Sequence, residues 1–126
     1  MAEIAVVGPT EQEGTTYTHT WDNLLNGDDG ERIKIPGAAD RTVHVYVGAG
    51  AFGVGGSIQI EGSNKADPTV DADWVVLTDL QDADLIFTGT DAIEVIAEAP
   101  LWIRPHVTAG DGTTDLSVTI LSRGTK

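Results

Sequence analysis

The chain has 126 residues, enough for one ordinary domain and too few for two comfortable ones. Hydrophobic residues make up 40%, so a packed core is within reach, and the absence of cysteine excludes disulfides, thiolate metal sites and thiol chemistry. Seven basic against twenty acidic side chains leave a net charge of −13, which repels nucleic-acid backbones and anionic membranes.

Residues 1–12 are weakly patterned and read as an arm that orders against a neighbour or adds an edge strand, ahead of a single domain over residues 13–126. Met1-Ala2-Glu3 offers no basic n-region and no apolar h-region follows, so no secretory leader is expected. No apolar run approaches the roughly 20 residues of a membrane span. Short strands are expected at Ile4–Val7 and Thr15–Thr20, then a turn or two of helix at Asp22–Asn26. Arg32-Ile33-Lys34-Ile35 alternates charged and apolar residues, and Pro36-Gly37 breaks the chain. In Thr42–Val47 the valines fall on one face and Thr42, His44 and Tyr46 on the other. Ile58 and Ile60 alternate with Gln59 and Glu61 before the turn Gly62-Ser63-Asn64. Further strands are expected at Trp74–Leu77, Leu85–Thr88, Ile93–Ala97 and Leu101–Val107, with a second short helical candidate at Asp79–Asp84. Leu116, Val118 and Ile120 alternate with Ser117 and Thr119. A dominant period of two, about eight to ten short strands and little helix predict an all-β, antiparallel β-sandwich of the jelly-roll kind.

The densest motif is the glycine-rich run between the strands at Thr42–Val47 and Ile58–Glu61, with Gly48, Gly50, Gly53, Gly55 and Gly56. A phosphate-binding loop needs a Lys-Ser or Lys-Thr and then a helix; here Gly56 leads into Ser57-Ile58-Gln59-Ile60, a strand, with no lysine nearby. The dinucleotide fingerprint fails for the same reason. The run reads as a crossover between strands, with close approach of a partner as the sharper alternative. Ser57 lacks a nucleophile elbow. His19, His44 and His106 have no second histidine at ligand spacing and read as solvent-facing or interface residues. Acidic clusters at Asp28-Asp29-Gly30-Glu31, at Asp67, Asp71 and Asp73, and at Asp111 and Asp115 supply the oxygens that calcium takes. None has EF-hand spacing, so they read as turn-capping acids, and no cofactor is expected. Trp21, Trp74 and Trp102 suit burial in a core or interface; an exposed set would suit a sugar platform.

Several segments in order carry a resemblance: Trp21 to Asp28, Ala39-Asp40, Phe52 to Ser57 leading into Ile60 to Asn64, Trp74 to Asp79, Ile103-Arg104-Pro105 and Gly110 to Thr114. Together they cover most of residues 21–121, and the chain resembles a group of small phage structural proteins that includes head decoration, or cement, proteins. The resemblance implies a β-sandwich that self-associates as a dimer or trimer and binds the major capsid protein on the outer surface of the assembled head. It implies no catalytic residues, while the net charge speaks against nucleic acid and membrane as partners. Expected contacts are Glu3, Ile4 and Val6 of the arm, Ala49, Phe52 and Val54 of the glycine-rich run, and Arg104, for which an internal salt bridge is an equal reading. A tail, neck or fibre component is the alternative within the virion, and a carbohydrate-binding β-sandwich module is the alternative of another class.

Overall fold

The alternation written in the sequence becomes two facing sheets. The structure, a computed structural model, describes residues 2–35 and 38–124, the side chains of Ala38, Ala39 and Ala49 excepted. Its strands are β1 (Glu3–Ile4), β2 (Val7–Glu13), β3 (Thr16–Leu25), β4 (Asp29–Gly30), β5 (Ala38–Ala51), β6 (Ser57–Ser63), β7 (Val75–Val76), β8 (Ile86–Phe87), β9 (Ala92–Val95), β10 (Trp102–Ala109) and β11 (Asp115–Gly124). One sheet runs β1-β4-β10-β6-β7, with β8 also paired to β6; the other runs β2-β3-β11-β5-β9. Without the edge strands β1 and β2, the chain alternates between a β3-β11-β5-β9 sheet and a β4-β10-β6-β7/β8 sheet. That is the jelly-roll order.

The core lies between the sheets. Along β11, buried Leu116, Val118, Ile120 and Ser122 alternate with half-buried Asp115, Ser117, Thr119 and Leu121. The apolar three meet Trp21, Val43 and Val45 of their own sheet and Ile58, Ile60, Ile103 and Val107 of the other in one cluster. Each such burial stabilises the fold by about 1.5–3 kcal/mol. Trp21 fills the centre and its indole Nε1 donates to the Glu31 carbonyl at 3.0 Å. Gly30 lets Pro105 and Trp21 close in, since a Cβ there would lie 2.5 Å from one and 2.8 Å from the other.

Among the described residues eleven strands form, more than expected, because several pairings are only two residues long; β5, at fourteen residues, is far from short. Residues 22–25 continue β3 instead of turning helical. Trp21 and Leu24 are three apart, a helical spacing, yet both point inward because the β11 register shifts between Leu116 and Val118 and Asn23 takes a positive φ of 59°. Asp79–Asp84 is likewise no helix. Asp79 Oδ1 accepts the Gln81 and Ala83 amides at 2.8 and 3.1 Å, folding a tight turn closed by a Thr78–Asp84 bridge. Arg32–Ile35 forms no strand; Ile33 makes one bridge, to Ile103. Pro36-Gly37 lies outside the described residues.

The glycine-rich run is a stapled crossover. Gly53, at φ 77°, sits where a Cβ would lie 2.4 Å from Asp111 and 2.5 Å from Thr114. Asp111 Oδ2 accepts the Val54 amide at 2.9 Å, its Oδ1 accepts the Thr113 amide and hydroxyl at 2.8 and 2.7 Å, and Thr114 Oγ1 donates to the Phe52 carbonyl at 2.7 Å. The Thr113 hydroxyl foremost, then the Val54 and Thr113 amides, hold the Asp111 carboxyl at about 2. A carboxyl lowered in the folded state supports the fold fully above its ordinary value of 3.8 and loses that support as pH falls toward 2. Asp111→Asn is therefore expected to flatten the loss of stability between about pH 4 and pH 2, read from urea midpoints across that range.

His19 overturns the expectation of a solvent-facing histidine. It shares the inward face of β3 with Trp21, is only 6% exposed, and its Nδ1 has no hydrogen-bond partner. Burial lowers its pKa from 6.5, so the ring is neutral in the fold at neutral pH. The unfolded chain then binds a proton more readily, and stability falls as pH drops below 6.5. His19→Leu is expected to lose the part of the pH 7 to pH 5 destabilisation that wild type shows in urea midpoints.

Candidate functional site

The outer face of the β10 sheet gathers charge. Strand alternation turns Ile103, Pro105 and Val107 of β10 inward and Trp102, Arg104 and His106 outward. Arg104 pairs in register with Glu61 of β6, and His106 with both Gln59 of β6 and Asp29 of β4. A single 3-10 turn, Asp71–Asp73, carries Asp71 to the same place. Arg104 Nε donates to Glu61 at 2.9 Å, its other nitrogens reach Asp71 at 3.2 Å and Asp29 at 3.4 Å, and its guanidinium lies 4.3 Å over the Trp74 ring. His106 Nδ1 bonds Asp29, and Gln59 donates to Glu61 at 2.5 Å. Asp73 accepts Lys65 at 2.5 Å and the Thr69 and Val70 amides; the Lys65 bond first, then those amides, hold it at about 2.

Beside this cluster opens a cleft of about 560 Å³ whose walls include Glu3, Glu31, Asp67, Trp74, Trp102 and Arg104. Trp102 is half-buried. Arg32 and Lys34 lie 4.2 and 4.7 Å from its ring centre, and its indole nitrogen donates to the Lys65 and Ala66 carbonyls at 3.1 and 3.3 Å. Arg32 also pairs with Asp67 at 3.0 Å.

Asp29, Asp71 and His106 offer ligand atoms within 4.8 Å of one another, a set of hard oxygens and an imidazole suited to a divalent cation. Arg104 ion-pairs with both aspartates and already supplies a positive charge to them. The arrangement is an ion-pair cluster, with three carboxylates about one guanidinium. Breaking it leaves buried Glu61 unpaired. Arg104→Met is expected to cost about 3–5 kcal/mol in urea unfolding, and Arg104→Met with Glu61→Gln to recover at least about half of that.

The residues expected to make contacts part company. Glu3 is exposed on β1 at the cleft, while Ile4 and Val6 are half-buried against the core, the Val6 amide donating to Glu31 at 3.0 Å. Phe52 is a core residue and Arg104 is held in its internal ion pairs. Val54 stands 83% exposed in the turn after β5; the Ala49 side chain lies outside the described residues. Trp21 and Trp74 are buried. The internal salt bridge read for Arg104 is there, but the sequence did not show its partners, because Asp29 and Asp71 stand in separate acidic turns that only the fold joins.

No described protein family and no curated protein matches the chain. Among solved structures, a similar one is the SPBc2 prophage-derived protein YomS, with TM-score 0.59 and 12% identity over 90% of this chain and 98% of that one. At that identity the likeness establishes a shared fold.

Proposed function

We propose that the chain is a phage structural protein of the decoration type, which binds the outer surface of an assembled head through the major capsid protein and reinforces the shell. The observation that carries this reading is the two-way coverage of a prophage-derived chain of nearly the same extent and fold. The physical build agrees with it. A jelly roll pinned by the Asp111 staple and the Arg104 cluster is a stiff block, and a net charge of −13 keeps it off packaged or free nucleic acid. Binding at many repeated sites gains from avidity once copies associate. Of the expected contacts, Glu3 and Val54 present exposed side chains to a partner, whereas Phe52 and Arg104 serve by holding the surface in shape.

A tail, neck or fibre position uses the same stiff block, and labelling intact particles separates it from a head position. The carbohydrate-module reading is weakened by the burial of Trp21 and Trp74 and by the two cations over Trp102, which occupy the ring a sugar would stack on. The direct test mixes purified protein with undecorated heads at native salt, followed by electron cryomicroscopy. Regular added density at repeated positions on the outer shell is expected; bare heads at saturating protein would refute the proposal.

A further inference from the structure

The second sheet turns a face to solvent that differs in kind from the charged one. Register links one cross-strand row from edge to edge: Val7 of β2, Thr20 of β3, Thr119 of β11, His44 of β5 and Ile93 of β9. The neighbouring row is Thr10, Thr18, Leu121, Thr42 and Val95, again one residue from each strand. Residues paired in register share a face. Neither row holds an Asp, Glu, Lys or Arg, in a chain with 27 of them. Hydroxyls knit the middle: Thr119 Oγ1 bonds both Thr20 Oγ1 and Tyr46 OH at 3.0 Å, and the His44 and Tyr46 rings lie 4.7 Å apart. Val7 and Ile93, at the two ends of the first row, are 65% and 62% exposed. Charge returns only beyond the rows. Arg123 and Asp40 pair in register past one end, and Asp22, bonded to Ser117 at 2.9 Å, marks the other. A neutral centre inside a charged rim is the anatomy of a protein interface.

We infer that this face is where a second copy of the chain packs, sheet against sheet, as an isologous dimer. Charge selects that occupant. Two molecules of net charge −13 repel wherever carboxylates meet, and these rows are a surface on which they bring none together. A two-fold contact needs a self-complementary patch, and neutral hydroxyl and apolar rows meet that condition, whereas the charged cluster around Arg104 would set like charges face to face. The size also fits. Five strands of four to fourteen residues, at about 3.3 Å per residue and about 4.8 Å spacing, cover roughly 700 Å² per copy with the rim included. With the whole face covered that makes about 1,400 Å² for two copies, toward the lower end of stable interfaces, so the dimer dissociates on dilution. This contact goes beyond the proposed head binding and stands apart from it, since it forms in the isolated protein.

The test is sedimentation equilibrium of the purified protein and two charge variants at the centre of the face, Thr119→Asp and Thr119→Lys. Wild type is expected to dimerise reversibly at concentrations up to on the order of 100 µM. Each variant alone is expected to dissociate at least about tenfold more readily, and an equal mixture of the two to recover dimer. Val75→Asp, on β7 of the other sheet, is expected to dimerise as wild type does, and circular dichroism checks that each variant is folded. A wild type that stays monomeric through that range, or a folded Thr119→Asp that dimerises unchanged, overturns the inference. Either result leaves head decoration to be judged by its own imaging experiment.

Discussion

Everything in this molecule depends on the packing of Leu116, Val118 and Ile120 of β11 into the space between the sheets. β11 sits between β3 and β5 and makes the longest registers of its sheet. With its apolar residues turned inward, strand geometry leaves Ser117, Thr119 and Leu121 no choice but to face outward. One strand thus sets both the core and the neutral surface. A slip of one residue would put the hydroxyls into the core and the aliphatic side chains into water, so the register is strongly specified.

The opposite sheet solves a different problem with the same alternation. β10 sends Ile103 and Val107 inward, which obliges Arg104 and His106 to face out among the acids of β4, β6 and the 3-10 turn. A buried guanidinium holding three carboxylates is costly to desolvate and costly to break. It fixes the turn at Asp71 over the sheet, and with it the cleft walls formed by Trp74 and Trp102. Asp111 does the same for the other end of the fold, tying the glycine-rich crossover to the turn before β11.

What was legible in the sequence was what strands impose locally. Period two at Val43, Val45, Ile58, Ile60, Leu116, Val118 and Ile120 was enough for a two-layer all-β fold. The misreadings have physical causes. Trp21 and Leu24 imitate helical spacing because a bulge adds a residue between them. β2 shows no alternation because all seven of its residues are exposed, so neither face needed to be apolar. His19 carries a polar label but occupies an inward position. An internal salt bridge for Arg104 and a polar face for Thr42, His44 and Tyr46 were legible one strand at a time; which acids meet Arg104, and that the rows run neutral from edge to edge, was not, since each joins residues from three or more strands that only the sheet order brings side by side.

Labour is divided between two sheet faces, one charged and internally paired, the other neutral and open to a second copy. Backbone amide NMR over a dilution series tests it most directly, because every strand reports at once. Concentration-dependent shifts are expected to centre on Thr18, Thr20, Thr42, His44, Thr119 and Leu121, with the amides around Asp29, Glu61 and Arg104 unchanged. Shifts confined to the Arg104 face, with the neutral rows silent, would contradict it.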